Sequence, residues 1–319
     1  RFRMKRENKI IKYSIIGLLI IMALLFILGT FFDLSISKKL ADVKTGEYYT
    51  RNHFVNLLEA FSELPVYLLV IFSVGVCGYN LAQKEKDVIK KVYIFVTAVI
   101  IFCVGVIGAY RMVGMLGEIY DFQDECEKVL PIICYCLFAL LCIGLEFLIL
   151  TNISKETIKK LYYFCWAVIV AVALTFIFTR VIKAFWSRLR FRALKCMDDY
   201  SQYRAWYKPL FNKKVTEDMG ISEDAYKSFP SGHSSFVASL LIISFVYKFI
   251  DISEKAKYFC FFIPVVYLII IAISRIVAGA HYLTDVLAGS GIAILINYLS
   301  IKKFKKIYEK KKENGEIYE

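Results

Sequence analysis

Histidine is scarce in this sequence, with three in 319 residues. No two of its nine cysteines stand at CxxC spacing, no internal repeat is visible, and no long Pro/Gly/Ser-rich stretch divides the chain. The missing CxxC pairs speak against a zinc ribbon or a dithiol redox centre. The missing linker speaks for a single domain over residues 1–319. Seven cysteines (Cys77, Cys103, Cys134, Cys136, Cys142, Cys165 and Cys260) lie inside apolar runs and read as small packing residues. Cys126 and Cys196 fall in polar loops, where a disulfide is the lesser reading and packing the favoured one.

Charge is also missing, over long stretches. Tyr13–Phe32, Leu64–Ala82, Val92–Tyr110 and Leu161–Thr179 contain no Asp, Glu, Lys, Arg or His, and Val129–Leu150 is broken only by Glu146. Each approaches the roughly 20 residues that a helix needs to cross a ~30 Å hydrocarbon core. Ser234–Tyr247, Tyr258–Ser274 and Val286–Ile301 are shorter, and the first and last lengthen if their polar starts at Pro230 and His281 are included. With 58% hydrophobic residues and a mean hydropathy of +0.56, the chain reads as an all-α, polytopic membrane bundle of about eight spans. The first apolar run is too long, and lacks the small-residue cleavage site, for a secretory signal peptide.

The net charge of +13 does not indicate nucleic acid, because of where it sits. Lysine and arginine gather at Lys5–Lys12, in 84–91, 155–160 and 248–257, and in a basic tail over 302–319. With eight spans all of these share one side, which the positive-inside rule makes cytoplasmic, both termini included. The acidic segment Glu118–Glu127 falls opposite. The loop Arg180–Phe229 is expected outside yet is basic, so it requires a separate reason. Trp206, Tyr207, Pro209 and Gly220 suggest an ordered cap there, and "NHFVNLLEAFSEL" near 52–64 has the apolar spacing of an interfacial helix.

Three polar islands interrupt the C-terminal half: "KAFWSRLRF" (Lys183–Phe191), "PSGH" (Pro230–His233) and "SRIVAGAHYLTD" (Ser274–Asp285). Span counting brings all three to the same, outer membrane face. Lys183, Arg190 and Arg275 would supply cations and N–H donors suited to phosphoryl oxygens. Pro230, Ser231 and Gly232 open a helix whose N-terminal amides favour an anion. His281 lies four residues before Asp285, one helical turn, so the carboxylate can set its tautomer and leave the other nitrogen as a nucleophile. His233 has no carboxylate at such spacing and suits the general acid.

These islands resemble the signature of the type 2 phosphatidic acid phosphatase superfamily, K-x6-R-P, P-S-G-H and S-R-x5-H-x3-D. Here they read Lys183-x6-Arg190-Phe191, Pro230–His233 and Ser274-Arg275-x5-His281-x3-Asp285. Order and spacing agree; Phe191 stands where the motif has proline. The resemblance covers roughly residues 161–301. It implies metal- and cofactor-independent hydrolysis of a phosphate ester through a phosphohistidine. His281 would then be the nucleophile and His233 the acid and later base. Lys183, Arg190, Ser231, Gly232 and Arg275 would hold the phosphoryl oxygens.

The expected substrate is a lipid phosphate, such as a polyprenyl diphosphate, phosphatidylglycerophosphate or phosphatidate, met on the extracytoplasmic face of a bacterial plasma membrane. A phosphotransferase using the same site and a non-catalytic lipid-phosphate transporter are the alternatives. Beyond substrate and membrane lipids no partner is indicated. Arg188 and Arg192 are open between headgroup contact and snorkelling, Glu146 is expected to be a structural hydrogen-bonding residue, and His53 a surface one.

Overall fold

The computed structural model describes residues 2–209 and 223–315, the side chains of residues 2–10 and 223 aside. Gly220 of the expected cap and residues 316–319 of the basic tail lie outside this range. The described chain is helical, with an isolated bridge between Arg188 and Lys227. The helices are α1 (Phe2–Leu40), α2 (His53–Phe61), α3 (Leu64–Ala82), α4 (Asp87–Tyr120), α5 (Val129–Asn152), α6 (Lys155–Trp186), α7 (Phe191–Met197), α8 (Gly232–Ala238), α9 (Glu254–Val277) and α10 (Leu283–Glu313). Seven helical segments among the described residues are long and apolar enough to cross a membrane, with α2 and α3 counted as one over His53–Ala82. Their outward faces carry Phe31, Phe95 and Leu130 at 76%, 70% and 71% exposure. Apolar surface on that scale is what hydrocarbon solvates and water does not.

The eighth expected span takes a different form. After the seven residues of α8 the chain tightens into a 3-10 helix over Ser239–Lys248. Together they make Gly232–Lys248 an apolar helical segment shorter than the seven that are long enough to cross a membrane.

By its contacts the chain divides into two compact units. One comprises Ala60–Ala173, Leu240–Ser253 and Leu295–Glu319. In it Ile71, Ile101 and Cys142 join α3, α4 and α5 in an apolar cluster, and Arg111 pairs with Glu63 at 3.3 Å. Glu146 is buried here against Gly75, where any side chain would collide with the carboxyl group. Its Oε1 has no hydrogen-bond partner among the described residues, so the expected structural bond is not made by that oxygen.

The other unit, Arg1–Glu59, Leu174–Ser239 and Glu254–Ile294, contains all three polar islands. Its construction depends on close backbone approaches. The Ser231 N–H donates to the Asp285 carbonyl at 2.9 Å, laying the Pro-Ser-Gly loop along the first turns of α10. Gly289, one turn further, has no room for a β-carbon because the Ser231 carbonyl oxygen occupies that place. Phe191 starts α7 and is buried, its ring 6.4 Å from that of Tyr282. Proline is favoured at a first helical position because the N–H there has no intrahelical partner. Phenylalanine keeps the same backbone and adds core packing.

Gly289→Ala should therefore destabilise the protein by about 1–3 kcal/mol through overpacking. Gly291→Ala, whose new methyl would meet nothing within 4 Å, should be neutral or mildly stabilising. Thermal unfolding of both variants in detergent checks the pair, and equal effects would contradict the close approach.

Candidate active site

The third island is a helix end, a turn and a helix start. Arg275 sits in the last turn of α9, and its carbonyl accepts the N–H groups of Ala280 at 3.1 Å and His281 at 3.2 Å. Gly279 makes this reversal in the left-handed region, with φ at 62°. Its carbonyl takes the Arg192 N–H at 2.7 Å, which ties the turn to α7. Asp285 is the third residue of α10, and its Oδ2 accepts the Tyr282 N–H just before the helix at 2.9 Å. This is the backward arm of a capping box. The x5 and x3 spacings are thus the lengths of one glycine turn and one helix cap.

His281 is 1% exposed, and its Nδ1 lies 2.6 Å from the main-chain carbonyl of Ser228. A carbonyl only accepts, so Nδ1 carries the proton and Nε2 the lone pair. Asp285, expected to fix the tautomer directly, is 3.8 Å from Nδ1. It reaches the histidine through Ser228, whose hydroxyl donates to Oδ2 at 2.5 Å. Burial lowers the His281 imidazole to about 3, with Lys183, Arg275 and Arg190 acting in the same direction and the nearby Asp285 carboxylate opposing them. The ring is accordingly neutral at physiological pH, the form that can attack.

The cations gather around it, though not as bare charges. The Lys183 Nζ lies so that a β-carbon on Gly232 would touch it at 3.4 Å. Arg190 grips Asp224 through Nη1 at 2.5 Å and Nη2 at 3.3 Å, and Arg275 pairs with Glu59 of α2. Burial, then the neighbouring Arg192, push Arg190 below its ordinary value, but a guanidinium remains charged. The Nε atoms of Arg190 and Arg275 are buried without a hydrogen-bond partner among the described residues. Buried donors of that kind call for an acceptor. His233 lies within electrostatic reach of Arg275, Glu59, His281 and Lys183, so the second histidine joins the same cluster.

Ser231 plays a more structural part than expected. It is fully buried, its N–H is taken by Asp285, and its hydroxyl oxygen caps α8 by accepting the Ser234 N–H at 3.3 Å. Gly232 is left as the loop residue beside the lysine amine. An aromatic group backs the loop: Phe229 stacks with Trp206 and lies 4.9 Å from Trp186, whose indole N–H donates to the Trp206 carbonyl at 2.5 Å. Trp206 is itself bonded to Thr30 of α1 at 3.0 Å.

Five residues were not singled out by sequence reasoning as parts of this site: Asp33, Glu59, Arg188, Asp224 and Ser228. Glu59 lies within the amphipathic segment expected at the interface, which instead buries Val55 against Ala278 and Ala280. Arg188, inside the Lys183–Arg190 interval, is completely buried (1% exposed), in place of the headgroup contact or snorkelling that the sequence suggests for it. Arg192 is also buried, stacked on Tyr48 and Tyr49 at 4.2 and 4.6 Å. Snorkelling fits neither. His53 is exposed, as expected.

With this geometry in place, residues 164–309 match the PAP2 superfamily, the phosphatidic acid phosphatase grouping that the three motifs resemble. A curated relative, phosphatidylglycerophosphatase B of Bacillus subtilis (strain 168), is 35% identical over 86 residues, which is 24% of this chain. The chain spans 42% of the length of that relative. No solved structure gives a significant match.

The three histidines make a direct test of the imidazole practical. In spectra of 15N-histidine-labelled protein, one ring should hold its proton on Nδ1 and stay neutral from pH 8 down to about 5; a midpoint near 6.5 would contradict the assignment. The sign for stability follows. A folded value of about 3 lies below the unfolded ~6.5, so this group's contribution is present above pH 6.5 and is lost as pH falls toward 3.

Proposed function

We propose that the protein is a lipid phosphate phosphatase working through a phosphohistidine. The observation that carries this reading is the tautomer of His281, with Nδ1 held by the Ser228 carbonyl and Nε2 kept as a neutral nucleophile among Lys183, Arg190 and Arg275. Its Nε2 lone pair attacks phosphorus and the P–O bond to the lipid alcohol breaks. His233 gives its proton to the leaving oxygen. Water then attacks the phosphohistidine, His233 takes up a proton from it, and the Nε2–P bond breaks to release inorganic phosphate.

During both steps the lysine amine, the unpartnered guanidinium Nε groups and the Gly232 side of the loop face the equatorial oxygens. The Ser231 hydroxyl supports the loop from within. These cations supply the positive charge that a metal supplies in other phosphatases, so the reading is metal-independent. The apolar helices favour a lipid alcohol as leaving group. The charge distribution favours cytoplasmic termini and a site on the extracytoplasmic face, and the bacterial relative favours a bacterial plasma membrane. Phosphatidylglycerophosphate heads the candidate substrates, because the relative is a phosphatidylglycerophosphatase.

The test is phosphate release by purified protein in detergent with EDTA, across lipid mono- and diphosphates. One lipid class should turn over, and His281→Ala should lower the rate by about a thousandfold or more. Strong inhibition by the chelator would sink the metal-free mechanism. Stoichiometric transfer to an added alcohol in place of free phosphate would favour the phosphotransferase. His233→Ala should cost about 10²–10⁴ in kcat, with less loss for substrates whose leaving group needs no proton, and orthovanadate should compete with substrate.

A further inference from the structure

Asp33 in α1 belongs to no motif, yet it ends in the same buried network as Asp285. Between the two lies Arg188. The arginine Nη2 is 2.9 Å from Asp33 Oδ2 and its Nη1 is 2.5 Å from Asp285 Oδ1. None of the three side chains is more than 1% exposed. The remaining arginine donors are used as well, Nη1 on the Thr284 hydroxyl at 2.9 Å and Nε on the Arg204 carbonyl at 2.9 Å. The plane of the guanidinium is covered by the Tyr282 ring, 4.0 Å from its centroid. Asp33 is fixed in turn by the Thr284 N–H at 3.0 Å and by the Thr284 hydroxyl. The neighbouring titratable groups, Tyr203, Tyr282 and His281, are neutral at physiological pH.

An arginine bonded to Asp285 holds that carboxylate in place but also cancels its charge. Cancellation is a handicap here, because phosphorylation at Nε2 turns the neutral ring of His281 into a cation with its Nδ1–H still on Ser228. Two carboxylates around one guanidinium leave a single net negative charge beside the ring. We infer that Asp33 and Arg188 are positioning residues for the phosphatase reaction: Arg188 orients Asp285, and Asp33 restores the net negative charge that stabilises the phosphohistidine cation. Without Asp33 the cluster would be neutral and only geometry would remain. The inference rests on the phosphatase reading of the site.

Asp33→Asn keeps the Oδ1 acceptor for the Thr284 N–H and removes the charge, together with the acceptor that Oδ2 offers to Arg188 Nη2 and the Thr284 hydroxyl. Its kcat should fall about 10–100-fold, the usual scale for a partner that acts through a functional histidine. KM should stay within about threefold, since Asp33 does not face the substrate. The phosphoenzyme burst should slow in parallel. Asp285→Asn, which also leaves the cluster neutral, should show a burst at least as slow.

The double variant Asp33→Asn/Arg188→Gln has Asp285 as its sole charge and so returns to a net negative site. Its kcat should recover above that of the single variant, whereas a merely structural role predicts a further fall. An undiminished kcat in Asp33→Asn, or a double variant slower than the single one at equal thermal stability, would overturn the inference. If the single variant does not fold, the double variant, which no longer buries the Arg188 guanidinium, decides alone: a kcat within about tenfold of wild type supports charge balance, and a loss as deep as that of Asp285→Asn refutes it. Failure of the wild type to release phosphate from any lipid would instead strike the phosphatase reading itself.

Discussion

A buried guanidinium without a carboxylate is among the costliest things that a fold can contain, and the unit that holds the candidate site buries four. Arg188 lies between Asp33 and Asp285, Arg275 pairs with Glu59, and Arg190 grips Asp224 with Arg192 3.9 Å from the same carboxylate. These pairings set the architecture around the motifs. They oblige α1 and α2, which carry no motif residue, to pack where the phosphate chemistry is expected. They also account in part for the basic loop that fits the charge rule poorly: Arg188, Arg190 and Arg192 in it are internal parts, not headgroup ligands.

What could be read in the sequence was whatever the chain does locally. The interval from Arg275 to His281 is one left-handed glycine turn, and that from His281 to Asp285 includes one helix cap, so both spacings have short-range causes. The apolar runs were equally legible, because a helix crossing hydrocarbon must be long and nearly charge-free. The illegible features are those made across distance. Asp33 follows an uncharged run, where an isolated acid has many possible partners, and Thr284 lies 251 residues away. Glu59 sits on a helix whose pattern describes an interfacial stripe as well as a buried one. The acceptor that sets the His281 tautomer is a main-chain carbonyl, which no side-chain motif encodes. The 3-10 winding after α8 has no compositional signature either.

Shape and charge divide the work around the site. Trp186, Trp206 and Phe229 form an aromatic backing that anchors the Pro-Ser-Gly loop to α1 through Thr30. The Asp285 carbonyl holds the same loop from the opposite direction through Ser231. Rigid support of this kind suits a reaction in which a nucleophile, an acid and several donors must meet one phosphorus atom. The two carboxylates on Arg190 and Arg275 temper the positive field, leaving donors oriented but only partly neutralised.

The extent of the match to the PAP2 superfamily and the extent of a self-sufficient folding piece are therefore different things. Residues 164–309 contain every motif side chain, yet excising them would leave Arg275 without Glu59 and would strip Arg188 of one of its two carboxylates. Arg275 would then lie in low dielectric without its carboxylate, at a cost of about 3–5 kcal/mol, and Arg188 would keep Asp285 alone. The N-terminal helices are the counter-charge of the site, and the boundary drawn by sequence similarity cuts through an electrostatic whole.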